Sequence, residues 1–88
     1  MMAGVLQVEV VSAEGRLWTG TCSQVQVPIL DGSLGILPRR QPLLAALGTG
    51  QITLSTTDGE KRYFTVDGGF VSVDSDFVTV VANSGSES

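Results

Sequence analysis

The side chains of this chain that could carry out catalysis are its carboxylates, because the sequence contains no histidine. The missing histidine removes the commonest general base and metal ligand at neutral pH. Asp67 could pair with Asp74 or Asp76, as carboxylates do in glycoside hydrolysis, but such a pair needs a cleft that fixes its separation. Aspartates beside turns more often cap those turns. A minimal hydrolase built on these residues is therefore the weakest of three hypotheses.

The glycine-rich segments and the other reactive side chains offer no catalytic centre. Residues 32–35 and 48–50 do not continue into the G-K-[ST] of a phosphate-binding loop. We interpret Lys61 as a solvated charge, and Cys22 has no neighbouring cation that would activate its thiol. Trp18 could stack against a ligand, but on a strand of a small sandwich an aromatic side chain more often fills the core. We expect no cofactor, no metal ion and no enzymatic activity.

Composition narrows the class of protein. At 88 residues, of which 42% are hydrophobic and 16% charged, the chain has the make-up of one folded domain. A net charge of −4 argues against nucleic-acid binding, which needs a basic face. The single cysteine cannot form an internal disulfide, which favours a reducing, cytoplasmic setting. We find neither a signal-peptide pattern nor a run of about 18 apolar residues, and we therefore expect no direct membrane insertion.

The hydrophobic pattern predicts strands along the whole chain. Leu6–Val11 and residues 24–29 alternate apolar and polar side chains, which is typical of half-buried strands. Residues 58–59, Asp-Gly, separate two further strand-like segments and give a strong hairpin signal, because a type I′ turn needs a positive φ at both central residues. A second hairpin is predicted around residues 74–76.

These signals predict an all-β fold, a small antiparallel β-sandwich or flattened barrel of about ten short strands. No window of eleven or more residues has a helical period. Residues 42–47 are short enough to form either one turn of helix or the start of a buried strand. We place the domain over residues 1–82 and expect residues 83–88 to form a flexible tail.

The segment Leu30–Leu47, LDGSLGILPRRQPLLAAL, is longer and more particular than a strand connection requires. Hairpin loops need only about two to five residues. This segment instead carries glycines, prolines and a basic pair between two apolar runs. It contains no nucleophile–base pair, and we interpret it as a surface presented to a partner.

Three motifs together resemble the N-terminal β-sandwich domain of the epsilon subunit of F-type ATP synthase. They are VEVVSAEGRLWTG at residues 8–20, GSLGILPRRQPLLAAL at residues 32–47 and FTVDGGFVSVDSDFVTVVA at residues 64–82. The resemblance covers nearly the whole chain, with the motifs in the family's order and spacing. It implies a ten-stranded sandwich.

The resemblance also implies a function and a set of partners. Such a chain is a non-catalytic rotor subunit in the central stalk of a proton-translocating ATP synthase. It binds the gamma subunit and the c subunits of the rotor ring, as a peripheral protein on the cytoplasmic face of the bacterial plasma membrane. The residues that the resemblance assigns to partner binding are Asp31, Gly32, Ser33, Arg39, Arg40, Gln41, Pro42 and Leu43.

Two departures from the family pattern limit what is carried over. The family often has P-G-H-x-P where this chain has Pro38-Arg39-Arg40-Gln41-Pro42, so Arg40 stands at the histidine position. The sequence given also ends within six residues of Ala82, before the two helices that usually follow in this family. We therefore expect neither ATP binding nor the inhibitory role of those helices.

A free-standing β-sandwich that binds a small ligand or carbohydrate is the alternative from another class. It would present Trp18 or Tyr63 on an open groove, and a hydrolase would bring two carboxylates together in a cleft. A coupling subunit should instead expose an apolar patch on one sheet face and lack a deep polar pocket.

Overall fold

The computed structural model describes residues 4–88 and consists of strands. Residues 1–3 of the predicted 1–82 domain lie outside the described range. Within that range there is no helix long and apolar enough to cross a membrane. The strands are β1 (Leu6–Ser12), β2 (Gly15–Ile29), β3 (Gly32–Ile36), β4 (Leu43–Ala46), β5 (Thr49–Thr56), β6 (Lys61–Asp67), β7 (Gly69–Asp74), β8 (Phe77–Ala82) and β9 (Gly85–Glu87).

The 15-residue strand β2 joins two layers of one hydrogen-bonded sheet. Its first half pairs with β1, and its second half pairs with β3 and β5. The register shifts between Cys22 and Gln24, and a shift of this kind bends a strand and increases its twist. One layer is β4–β7–β8–β1–β2, and the other is β3–β2–β5–β6–β9. With β2 counted in both, the layers contain the ten strands that the sequence predicts.

The core lies between the layers and is wholly apolar in the described residues. Alternate residues of each strand point into it, as the period-two pattern predicts. On β1, for example, Leu6, Val8 and Val10 are buried. Cys22 is also buried, and burial raises the pKa of its thiol to about 11 because the thiolate loses solvation. We conclude that Cys22 fills space in the core.

One strand pair departs from the antiparallel expectation. Strand β1 runs parallel to β8, with Val8 opposite Val78 and Val10 opposite Val80. All other strand pairs in the described range are antiparallel. The parallel pair joins the two ends of the chain, so no local turn signal could reveal it.

The segment 42–47 forms a strand rather than a turn of helix. Strand β4 pairs with β7, with Leu43 opposite Val73 and Ala46 opposite Phe70. Leu43 and Ala45 pack against the core, whereas Leu44 and Ala46 point outward and are exposed. Pairing with β7 gives this short segment backbone hydrogen bonds that an isolated helical turn would lack.

The C-terminal residues are paired in the structure, in contrast to the predicted flexible tail. Residues 85–87 form β9 alongside β6, and the Ser88 N–H donates a 2.9 Å hydrogen bond to the Tyr63 carbonyl. Arg62 Nε lies 2.7 Å from Glu87 Oε2. The side chains of this segment are polar, but its backbone forms hydrogen bonds with the edge of β6.

Candidate functional site

The outward face of the β4–β7–β8–β1 layer carries a row of apolar side chains. Ala46 lies opposite Phe70, Phe70 opposite Val81, and Val11 opposite Val81 on the other side. Cross-strand partners share a face, so these residues form one continuous row. Leu44 lies next to this row on β4 and is 72% exposed, while Phe70 is 44% exposed. We call these five residues the apolar face.

The apolar face includes a shallow depression at the edge strand β4, and polar residues lie beside it. Leu44, Ala45, Ala46 and Phe70 line a shallow apolar depression. In the neighbouring cross-strand row, which also contains Ser72 and Thr79, Glu9 of β1 forms a 3.1 Å ion pair with Arg16. An apolar centre with a polar rim is the usual anatomy of a protein–protein interface.

The outward face of the other layer is different in character. Its cross-strand row contains Gly35, Gln26, Thr53 and Tyr63, so the amides and hydroxyls outnumber the apolar groups. Tyr63 is the large hydrophobic side chain exposed there, at 39%. The exposed apolar patch that the sequence predicts for a coupling subunit therefore lies on one sheet face, that of the β4–β7–β8–β1 layer.

The structure places Asp31, Gly32 and Ser33 in the turn between β2 and β3 and at the start of β3. All three are exposed, and Gly32 has φ +140°, a backbone conformation that favours glycine. The Ser33 hydroxyl accepts a 3.1 Å hydrogen bond from Gln26 Nε2. A tight turn with exposed polar groups is suited to contact with a polar surface.

The other predicted partner-binding residues follow β3. Arg39, Arg40, Gln41 and Pro42 are exposed in the loop between β3 and β4, and Leu43 begins β4. Neither arginine forms an ion pair with any carboxylate of the described residues. The loop therefore presents two unpaired guanidinium groups and leads directly into the apolar face.

The structure does not bring the two sets of predicted residues into one cluster. They lie at opposite ends of β3, whose first and last Cα atoms are about 13 Å apart at about 3.3 Å per residue. The segment 30–47 thus presents two separate loops, joined by β3. Of the predicted residues, only Leu43 adjoins the apolar face.

The carboxylates of the hydrolase hypothesis also lie apart. Asp67 follows the last buried residue of β6, whereas Asp74 and Asp76 lie in the β7–β8 turn. Strand β7 separates the two positions by about 17 Å at about 3.3 Å per residue. Glycosidase carboxylates lie only about 5–10 Å apart. This pairing is therefore excluded.

Asp67 does line an open cleft of about 660 Å³ next to β9, together with Glu14. Both are exposed, and each accepts a hydrogen bond from a neighbouring hydroxyl: Thr49 Oγ1 donates to Asp67 at 2.6 Å and Ser12 Oγ donates to Glu14 at 3.1 Å. These are the contacts of surface and turn carboxylates, as the sequence suggests.

Trp18 does not form an open stacking platform. Its ring lies over Gly20, where an added Cβ would be only 2.8 Å from Trp18 Cη2, and it packs against the core. The interpretation of Trp18 as a filler is therefore supported by its contacts. Gly20 is the residue that leaves room for the ring.

Comparison with known proteins identifies the family. The profile described as "ATP synthase, Delta/Epsilon chain, beta-sandwich domain" matches residues 5–87, nearly the whole chain. The chain belongs to this ATP synthase delta/epsilon family. Epsilon chains are non-catalytic subunits of the rotary complex, in agreement with the expectation from the sequence.

Relatives of this epsilon-type chain include bacterial proteins named "ATP synthase epsilon chain". The one from Micrococcus luteus is 44% identical over 79 residues, which is 90% of this chain and 87% of that protein. The one from Corynebacterium jeikeium is 40% identical over 80 residues, 90% of this chain but 65% of that protein. The chain therefore nearly spans the first relative and about two thirds of the second.

Two solved structures share the fold. A chain of the Euglena gracilis mitochondrial ATP synthase, in a structure of OSCP, F1 and the c-ring, matches with a TM-score of 0.88 at 15% identity. That match covers 99% of this chain and 56% of the other. A chain of the Tetrahymena thermophila mitochondrial ATP synthase central stalk and c-ring matches with a TM-score of 0.75, also at 15% identity, over 98% of this chain and 69% of the other.

Sequence reasoning missed most of the apolar face of this epsilon-type domain. Phe70, Val81 and Val11 lie on three strands that are distant in sequence, and only their pairing makes them neighbours. A local signal exists in Phe70, which occupies an outward position between Gly69 and the buried Val71. A large apolar side chain at such a position points either to a second buried face or to an interface.

Proposed function

We propose that this chain is a non-catalytic subunit of the central stalk of a proton-translocating F-type ATP synthase. In this role it binds the gamma subunit and the rotor ring and helps to couple proton flow to ATP synthesis. It is a peripheral protein at the cytoplasmic face of the bacterial plasma membrane. The observation that carries the proposal is the apolar face on a chain that belongs to the epsilon family.

The apolar face is the proposed binding surface for gamma. A protein in water gains free energy when a partner covers exposed leucine and phenylalanine side chains. Leu44 and Phe70 are the exposed large side chains of the face, and both line its depression. Both are held on paired strands above a closed core, so little conformational entropy is lost on binding.

The β2–β3 turn is the proposed contact with the rotor ring. Asp31, Gly32 and Ser33 are polar and exposed, which suits the polar loops that the family resemblance assigns as their partner. None of them belongs to the apolar face, so one chain could touch gamma and the ring at the same time. Two contacts on one rigid domain allow it to hold its partners in a fixed relative orientation.

The fold suits a part that transmits force rather than one that changes shape. Both layers share a single close-packed apolar core, and such interiors have low compressibility. The described residues form one continuous sheet without an internal linker. The proposed role needs a rigid spacer between two partners, and this architecture provides one.

Binding of purified gamma to the isolated chain, measured by calorimetric titration, tests the proposal. Phe70→Glu should weaken binding strongly, because a carboxylate would be desolvated at the centre of the interface. Tyr63→Glu is the matched control, since Tyr63 is a strand residue of similar exposure on the opposite face. If the chain does not bind gamma, or if both variants bind equally well, the proposed surface is wrong.

A further inference from the structure

The described residues include three non-glycine residues with a positive φ, and two of them meet at one contact. They are Arg39 (φ 70°), Ser75 (φ 52°) and Asp76 (φ 63°). The Arg39 N–H donates a 2.6 Å hydrogen bond to Asp76 Oδ1. Such backbone conformations persist only where the surrounding structure holds them, and they concentrate at functional sites.

Asp76 is fixed on its own side of this contact. Ser75 and Asp76 are the two central residues of the β7–β8 turn, because Asp74 pairs with Phe77. A type I′ turn needs a positive φ at both of these positions. The Asp76 carbonyl also accepts a 2.9 Å hydrogen bond from the Gln7 N–H, which ties the turn to β1. The carboxylate therefore projects from a well-anchored turn.

Arg39 is fixed mainly by that carboxylate. It follows Pro38, which lies close to Gly4, where an added Cβ would be 3.0 Å from the Pro38 Cβ. Asp76 binds the Arg39 backbone and forms no ion pair with its guanidinium. The contact orients the loop while leaving the charged groups of Arg39 and Arg40 available to a partner.

We propose that Asp76 is a positioning residue that holds the β3–β4 loop so that Arg39 and Arg40 meet an acidic surface of gamma. This inference rests on the proposed function. Gamma is the chosen partner because the loop continues directly into β4, which carries Leu44 on the apolar face. Two unpaired arginines on a loop that leads into an apolar interface fit carboxylates on the same partner.

Asp76→Ala removes the acceptor and should free the Arg39 amide. If the loop then adopts the binding conformation about one tenth of the time, the apparent affinity for gamma falls about tenfold. Asp76→Asn should retain both the contact and the affinity, because its amide oxygen accepts the same hydrogen bond and asparagine tolerates a positive φ. The measurements are amide hydrogen exchange at Arg39 and calorimetric titration with gamma at low and high salt.

Ser75→Ala is the matched control for turn strain. Ser75 also has a positive φ, but within residues 4–88 its hydroxyl hydrogen-bonds only to its neighbour Asp74, at 3.3 Å. Ser75→Ala should therefore lower the melting temperature about as much as Asp76→Ala, yet keep the Arg39 amide protected and gamma binding intact. Equal loss of gamma binding in both variants would show that turn stability alone matters and would overturn the inference.

Arg40→Gln separates this inference from the proposed function. It should weaken binding to gamma at low salt and have less effect at high salt, where exposed charges are screened. If the Arg39→Gln and Arg40→Gln variants both bind gamma normally while Phe70→Glu does not, gamma is the partner but the two arginines do not contact it. The inference about the loop is then wrong, and the proposed function stands. If Arg40→Gln weakens binding and Asp76→Ala does not, Asp76 does not position the loop.

Discussion

Replacing Leu44 by glutamine gives the most direct quantitative test of the apolar face. Leu44 lies on the edge strand β4 and is 72% exposed, so it contributes little to the stability of the isolated chain. Complete burial of a leucine side chain is worth about 1.5–3 kcal/mol. A partner that covers the exposed part of Leu44 would gain about 1–2 kcal/mol, or about 5- to 30-fold in affinity.

We therefore expect Leu44→Gln to weaken gamma binding by about 5- to 30-fold. Its free energy of unfolding should stay within about 0.5 kcal/mol of the parent, as for most surface substitutions. Calorimetric titration with gamma and thermal unfolding of the isolated chain supply the two measurements. Because glutamine is close to leucine in size, the loss reports on polarity rather than on a gap in the interface.

Leu30→Gln is the matched control. Leu30 is even more exposed, at 81%, but it lies in the β2–β3 turn and is not one of the five residues of the apolar face. The Leu30→Gln variant should bind gamma with the affinity of the parent chain. Equal weakening by the two variants would mean that general surface hydrophobicity, not this face, drives binding. Full affinity of Leu44→Gln would show that gamma does not cover the face, and the reasoning would be refuted.

Three further predictions concern other parts of the chain. Gly69→Ala should lower the melting temperature far more than Gly15→Ala. Both glycines have a positive φ, which costs an alanine about 1–3 kcal/mol. A Cβ at Gly69 would also lie 2.0 Å from the Val81 carbonyl oxygen, whereas a Cβ at Gly15 would meet nothing within 4 Å. Cys22, with its pKa raised to about 11, should resist alkylation at pH 8 until denaturant unfolds the chain, which thiol counting by mass spectrometry would check. Asp31→Lys should impair ATP synthesis in reconstituted vesicles. Glu60→Lys makes the same charge change in the exposed β5–β6 hairpin and should not impair it. Equal activity of the two variants would count against the β2–β3 turn as a contact with the rotor ring.

The carboxylate of Asp58 makes the stability of the fold depend on pH. Hydrogen bonds from the Thr56 hydroxyl and the Glu60 backbone N–H lower its pKa below the usual value of 3.8. A depressed carboxylate pKa stabilises the fold above the unfolded-state value, and this contribution is lost as the pH falls through the folded-state value. Both partners belong to the β5–β6 hairpin, so the contribution is local to that turn.

The sequence by itself determined the strands and the core. Period-two alternation put Leu6, Val8 and Val10 on the buried face of β1, because side chains of a strand alternate between two faces whatever its partner. The Asp58-Gly59 pair marked a hairpin between β5 and β6, but of the two residues only Gly59 has a positive φ (91°), so the turn is not the type I′ turn that the pair predicts. The motifs at residues 8–20, 32–47 and 64–82 were sufficient to indicate the family.

Only the tertiary structure decided which surfaces the strands present. The parallel β1–β8 pair, the bend in β2 and the docking of β9 join residues that are distant in sequence, and such pairings leave no local signal. Leu43 and Leu44 are both apolar, so alternation could not tell which one faces solvent until β4 paired with β7. The apolar face and the Asp76–Arg39 contact arise in the same way, because each depends on where two separate strands or turns meet.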